Sequence, residues 1–348
     1  MLALHLPQRP NSQQLLASFA SLINGLTVVS FSEFIMHSGR DFSREKVRAM
    51  LKIRAQVLSA AREWFDQQCY VEVHGPTIIP AVGNWPAYFE VKYFDKKAYL
   101  AQGLQPYANV LVANLGKIYT IAPTFRMEKS NTQRHLTEYW RIEVAQQCDL
   151  DTIVKFEEEL VAYICQSLSK KAVDILRCFK RYANDLAKVQ TPFPKITYDE
   201  AVDMLQKDGF NVVWGQKLSW ELENNLSLRF KQPFFFTKLP LSVETFFHKS
   251  DPDRPELTLS ADLLAPEGYG ELGSSAQRIT QKKFLSKKME DENIDPVDQT
   301  WYLNFMQSRA SPNSGFAIGL ERLIQWICKL AHIKEATAFP RLRDDIYP

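Results

Sequence analysis

Phe125-Arg126-Met127-Glu128-Lys129-Ser130-Asn131-Thr132-Gln133-Arg134-His135-Leu136-Thr137-Glu138-Tyr139 is the densest polar stretch of the chain. It lies between two strand-like runs, Ile118 to Phe125 and Tyr139 to Gln146. A short polar segment between two strands reads as a hairpin turn. Arginines on both sides of that turn, Arg126 and Arg134, can hold phosphates and a carboxylate, and Glu128 can accept from an exocyclic amine. On residue types alone a solvated charged hairpin explains the stretch equally well.

Working outward, apolar residues recur at helical spacing from Arg44 to Gln68 (Val47, Met50, Leu51, Ile53, Val57, Leu58, Ala61, Trp64, Phe65), which predicts a long amphipathic helix. Tyr70 to Val73 alternates like a strand and stops at Gly75-Pro76, where proline removes a ladder donor. Tyr88 to Phe94 and Ala98 to Ala101 read as further strands. Downstream, Asp151 is expected to cap a helix running through Leu168, with Glu157, Glu158 and Glu159 on its wet side. The prolines and the Phe234-Phe235-Phe236 run between Lys188 and Asp253 predict short strands and turns. Leu257 to Leu264 and Gly270 to Ile279 complete the strands, and Gly319 to Leu330 is a final helix. Strands in runs, with helices before, between and after them, predict an α+β domain on an antiparallel sheet flanked by helices.

The chain has 348 residues, 45% hydrophobic and 12% aromatic, enough to bury a large core. Its 42 Lys+Arg against 40 Asp+Glu leave a formal +2, so any contact with nucleic acid is expected to be local, for instance at Lys282-Lys283 and Lys287-Lys288. Five scattered cysteines without CxxC or Cys/His spacing indicate neither a disulfide framework nor a zinc site, which fits a reducing, cytoplasmic setting. The apolar stretch Leu15 to Val29 is too short and too interrupted to span a bilayer and reads as a packed element.

The polar hairpin resembles motif 2 of class II aminoacyl-tRNA synthetases. Ser311-Pro312-Asn313-Ser314-Gly315-Phe316-Ala317-Ile318-Gly319-Leu320-Glu321-Arg322-Leu323 resembles motif 3, and the helix before Gly75-Pro76 resembles motif 1, which builds the dimer interface in that family. Gly270 to Ile279, Gln105 in its Gln-Gly-Leu-Gln turn and Phe339-Pro340-Arg341 are similar to the aspartyl/asparaginyl branch. The resemblance implies the class II antiparallel fold over 44–348, ATP and magnesium as cofactors, and a homodimer. It further implies that Arg126 grips the α-phosphate and substrate carboxylate and that Arg322 acts with it in catalysis. Glu128, Arg134, His135 and Tyr139 would complete the ATP site, with Tyr139 and Arg322 sandwiching the adenine. Asp262, Glu271 and Ser274 would hold magnesium, oxygen ligands that suit a hard cation bridging phosphates. Gln105, Ala108, Asn109, Glu143 and Arg278 would surround the amino acid.

Departures from the branch bear on substrate and acceptor. Ala108 and Asn109 stand where aspartate enzymes carry lysine and asparagine enzymes glutamate; Ala145 replaces an acid; Asn313 replaces a histidine; Val82-Gly83-Asn84-Trp85 replaces a loop of small residues. The segment 1–43 reads as an N-terminal extension too short for the barrel that reads the anticodon in this branch. The expected activity is therefore amino-acid adenylation on aspartate, asparagine or a close analogue. Ammonia or a small amine leads as acceptor, as in truncated relatives such as the archaeal asparagine synthetase. A tRNA acceptor end, a protein or another metabolite, and a non-catalytic module remain as alternatives.

Overall fold

The computed structural model describes residues 44–80, 88–127, 132–291, 293, 299–309 and 311–346. The N-terminal extension, the loop around Trp85 and Glu128 of the polar hairpin lie outside them. Helix α1 (Glu45–Gln67) leads into the short strands β1 (Val71–Glu72) and β2 (Ile78–Ile79), the hairpin β3 (Glu90–Tyr93) and β4 (Lys96–Leu100), and α2 (Tyr107–Leu115). The long hairpin β5 (Lys117–Phe125) and β6 (Glu138–Gln146) precedes α3 (Leu150–Lys171) and the short helices α4 (Val173–Arg177) and α5 (Ala183–Ala187). Then come β7 (Lys195–Thr197), α6 (Tyr198–Lys207), α7 (Trp220–Ser227), β8 (Phe234–Thr237), β9 (Ser260–Ala265) and β10 (Gly270–Gln277). Helices α8 (Lys282–Asp291) and α9 (Thr300–Arg309), strand β11 (Ser314–Gly319) and α10 (Leu320–Ile327) follow.

Eight strands form one sheet in the order β1-β5-β6-β11-β10-β9-β8-β7, and β2-β4-β3 form a second. In the large sheet β1 with β5 and β7 with β8 pair in parallel. The five pairings from β5 across to β8 are antiparallel, as the order of elements predicts. One face of this sheet carries α1, α3 and α10, whose apolar stripes merge with inward strand residues such as Tyr119, Ile142, Leu263 and Phe316 into one core. No described helix is long and apolar enough to cross a membrane.

The apolar face of α1 (Ala49, Met50, Ile53, Val57, Ala60, Ala61, Trp64, Phe65) is buried within the chain itself. Three expectations are corrected here. The cap of α3 is Asp149 rather than Asp151: its extended backbone lets Oδ1 accept from Thr152 N at 2.9 Å, while Asp151 already sits inside the first turn. Glu157 and Glu158 are buried, at 0% and 6% exposure, because both fall on the apolar stripe defined by Ile153, Val154, Leu160 and Val161. Ser275 Oγ donates to Glu157 at 2.5 Å and Phe193 N to Glu158 at 2.7 Å, satisfying one oxygen of each. The region 188–253 also holds two helices besides its strands. α6 starts with a capping box between Thr197 and Glu200 and buries Tyr198, Ala201, Val202 and Leu205 at helical spacing.

Candidate active site

A cavity of about 530 Å³ opens over the sheet, a volume suited to a small-molecule ligand. Its floor is the middle of the large sheet, and period-two alternation along β6 aims Tyr139, Arg141 and Glu143 at it from one face. Arg126, Arg134, His135, Tyr139, Arg322, Gln105, Ala108, Glu143, Arg278, Asp262, Glu271 and Ser274 all line it. Of the expected site residues, Glu128 is not described, and Asn109 lies behind the wall rather than on it.

The nucleotide end is built where the polar hairpin meets α10. Arg126 N donates to Thr137 O at 2.9 Å and Thr137 N to Arg341 O at 2.9 Å, so the Phe339-Pro340-Arg341 ending pins the base of the loop. At the start of α10, Glu321 turns inward and accepts from Arg54 Nη1 at 2.7 Å and Trp140 N at 2.9 Å. Anchoring that residue leaves its neighbour Arg322 facing the cavity, with Nη1 3.0 Å from Glu271 Oε1. Arg134 is only 6% exposed; it donates to Glu223 Oε2 at 2.9 Å and to the Glu271 carbonyl at 2.8 Å, so much of its donor capacity is spent on the wall.

Charges at this end are strongly coupled. Burial alone would raise the Glu271 carboxyl, but Arg322, Arg134 and Lys217 hold it well below the usual range. Burial pushes the Asp262 carboxyl well above it, and repulsion from Glu271 and Glu244 adds to this against a hydrogen bond from Ser274. Two carboxyls pushed in opposite directions, with a hydroxyl at the paired positions Ser274 and Asp262, form an all-oxygen donor set of the kind a hard cation takes. Among the described residues no group of three His, Cys, Asp or Glu ligands converges. The donor chemistry of Asp262, Glu271 and Ser274 nevertheless suits magnesium, which takes one or two carboxylates and completes its shell with phosphates and water. The strand irregularity between Glu271 and Gly273 aims this segment, and a Cβ on Gly273 would sit 2.5 Å from Ala317 O and 2.9 Å from Glu157 Oε1.

At the other end, Glu143 accepts from Leu104 N at 3.0 Å, and Arg141 donates to Gln102 O at 2.9 Å. The pair fixes the Gln102 to Gln105 turn against β6. Gly103 adopts φ +148°, and a Cβ there would press on Glu143 and Arg141, so only glycine lets the turn approach so closely. Arg278 closes this end, its guanidinium 5.4 Å from the Phe247 ring centre.

Several lining residues were not singled out from the sequence: Arg141, Lys217, Trp220, Glu223, Glu244 and His248. Arg141 was findable, since it lies midway between Tyr139 and Glu143 on one strand face. The others come from the helix-and-turn region before β9, where no local pattern marks them.

The chain as a whole is similar to known proteins. The family model described as tRNA synthetases class II (D, K and N) matches residues 35–343. Asparagine–tRNA ligase of Thermococcus gammatolerans is 40% identical over 305 residues, covering 87% of this chain and 71% of that protein. The ligase of Pyrococcus furiosus is 41% identical over 308 residues, covering 87% and 70%. Among solved structures, asparaginyl-tRNA synthetase from Pyrococcus horikoshii complexed with asparaginyl-adenylate superposes with a TM-score of 0.87 at 38% identity, covering 92% of this chain and 74% of that one.

Proposed function

The chain belongs to the class II tRNA synthetases of the D, K and N group, and from that premise we propose that it activates asparagine with ATP as asparaginyl-adenylate, releasing pyrophosphate, and passes the asparaginyl group to the 3′ end of a tRNA, releasing AMP. One observation carries the reading: a single cavity brings Arg126, the pair Tyr139 and Arg322, the acidic pair Asp262 and Glu271, and the turn at Gln105 together. The similar proteins reported above are named for tRNA ligation, and one of them was crystallised with asparaginyl-adenylate. This weighs for tRNA over the ammonia or small-amine acceptor expected from the sequence, which no feature of the cavity favours.

Under this reading the substrate carboxylate, already ionised at neutral pH, attacks the α-phosphate in line, the bond to the β-phosphate breaks, pyrophosphate leaves, and no side-chain base is needed. Arg126 orients carboxylate and phosphate together, and positioning with charge stabilisation supplies most of the rate. Tyr139 and Arg322 flank the adenine, while Arg134, locked by Glu223, shapes the wall beside the phosphates. Gln105 takes the α-amino group from the turn that Glu143 and Arg141 hold, and Arg278 meets the side chain. Asp262, Glu271 and Ser274 would hold magnesium, which when bound neutralises charge on the phosphates. A homodimer through the segment from Arg44 to Pro76 belongs to the same proposal, its contact made by outward residues such as the 45%-exposed Val71.

The test is ATP–pyrophosphate exchange with each amino acid, followed by incubation with total tRNA or with ammonium. Exchange with asparagine and charging of tRNA are expected. Exchange accompanied only by free amide formation would restore the small-amine reading, and exchange with no amino acid would remove activation altogether.

A further inference from the structure

The four lysines at which a nucleic-acid contact is expected from the sequence, Lys282, Lys283, Lys287 and Lys288, all fall on α8, and the structure divides them. Leu285 and Met289 turn inward into a satellite core with Phe246, Ile279 and Tyr302, against which Phe247 of the cavity wall packs. Lys282 Nζ donates to Gln307 Oε1 at 3.1 Å and Lys288 Nζ to the His248 carbonyl at 3.1 Å, so these two brace the helix against α9 and the cavity wall. Lys283 and Lys287 instead are exposed, one turn apart on the outward face, with the 55%-exposed Phe284 beside them. Among the described residues neither ammonium has a hydrogen bond or an ion pair, the carboxylates of Glu290 and Asp291 on the same helix included. Two like charges at this spacing repel each other and weaken the helix. A polyanion laid across this face removes the repulsion, and the aromatic ring next to the two charges gives an unpaired base a surface to stack on.

We propose that the outward face of α8, formed by Lys283, Phe284 and Lys287, holds the backbone of the tRNA near its 3′ end. The inference rests on the reading that the acceptor is a tRNA, and it gives that partner a docking surface. Position favours it: Arg278 lines the amino-acid end of the cavity and α8 starts four residues later, so a helix of 10 residues, about 15 Å long, lies along the outside of that wall. A strand whose end reaches the adenylate must run on over the surface around the cavity, and a few local phosphate contacts suit a chain with a formal net charge of +2. An anionic membrane would take an amphipathic helix by its apolar side, and here Leu285 and Met289 are already buried in the satellite core.

The double variant Lys283→Ala/Lys287→Ala tests it, since it removes both outward charges and leaves the two bracing lysines in place. With total tRNA the KM for charging is expected to rise about ten-fold at low salt. The slope of log KM against log salt should fall by about 1.5, the sum of two phosphate contacts at roughly 0.7 to 0.9 each. Pyrophosphate exchange, which needs no tRNA, should be unchanged. Phe284→Ala should raise the KM for tRNA without altering the slope, because it removes stacking and no charge. An unaltered KM and slope in the double variant would overturn the proposal, as would a loss of pyrophosphate exchange equal to the loss in charging. Cosedimentation with anionic vesicles that the double variant abolishes, while its tRNA charging stays normal, would assign the face to a membrane instead. Wild-type charging is measured first: exchange with asparagine but no charging of tRNA removes the acceptor reading and this inference with it, whereas equal charging by wild type and double variant removes the inference alone.

Discussion

Glu157 is the residue whose replacement reads the interior most directly. It is fully buried on α3, accepts from Ser275 Oγ at 2.5 Å, and leaves Oε1 without a hydrogen-bond partner beside Gly273. Burial pushes its carboxyl up to about 8, the hydrogen bond from Ser275 opposes this, and the Glu271 charge adds to the rise. In the unfolded chain the group titrates near the ordinary 4.5. The folded protein therefore keeps a proton that the unfolded chain has already lost, so stability is fully present below about pH 4.5 and falls as pH rises towards about 8. A gap of roughly 3.5 units at 1.36 kcal/mol each sets a ceiling of about 5 kcal/mol, and relaxation around a buried charge brings the expected figure to about 3 kcal/mol. Glu157→Gln keeps the shape, can still accept from Ser275, and has nothing to ionise. Urea unfolding of both proteins at pH 5, 6.5 and 8 isolates the effect, because other titrating groups such as His248 and Glu158 are common to the pair and cancel in the difference. The variant should match or trail the wild type at pH 5 and gain on it steadily, by about 3 kcal/mol at pH 8. A stability difference that stays flat across this range would refute the reasoning.

Two further outcomes follow from the site and the core. Arg126→Ala should fold normally but lose pyrophosphate exchange by about a hundred-fold or more, the scale of losing one preorganised contact to developing charge; near-normal exchange in a folded variant would take Arg126 out of the chemistry. Sedimentation at micromolar concentration should give a dimer, and Val71→Asp should shift it towards monomer without disturbing α1, whose apolar face is satisfied internally. A wild-type monomer that retains activity would remove the two-fold contact.

How much of this could be read in advance depends on whether the chemistry is local in sequence. The polar hairpin and the glycine-rich strand before α10 carry their motifs in consecutive residues, so their resemblance to motifs 2 and 3 implied a shared site for Arg126, Tyr139 and Arg322, all three of which line the cavity. Glu223, Glu244 and His248 reach the same cavity only because β9 and β10 bring the preceding helices and turns beside it, and nothing in their own neighbourhood signals that. Helix α6 was overlooked for a different reason: the prolines around it drew the reading to turns, although the spacing of its buried residues was on view. Asn109 was placed correctly in the chain but one layer too near the substrate, since a residue's depth behind a wall is set by tertiary packing.

The misreading of Glu157 is the most instructive, because it came from equating charge with exposure. Its position relative to Ile153, Val154 and Leu160 put it on the buried stripe, and the decision between burial and solvent turned on whether the facing element could receive a carboxyl. That information lay 118 residues away, in the Gly273-Ser274-Ser275 run of β10. A strand that packs on a helix normally fills the space with branched side chains; one offering a glycine and two hydroxyls leaves both room and a donor. Ser275 supplies the hydrogen bond, Gly273 the space, and Ser274, on the opposite face by alternation, goes to Asp262. One short strand thus holds a neutral acid behind it and an acidic pair in front, so replacing Gly273 or Ser275 disturbs the site and the core together.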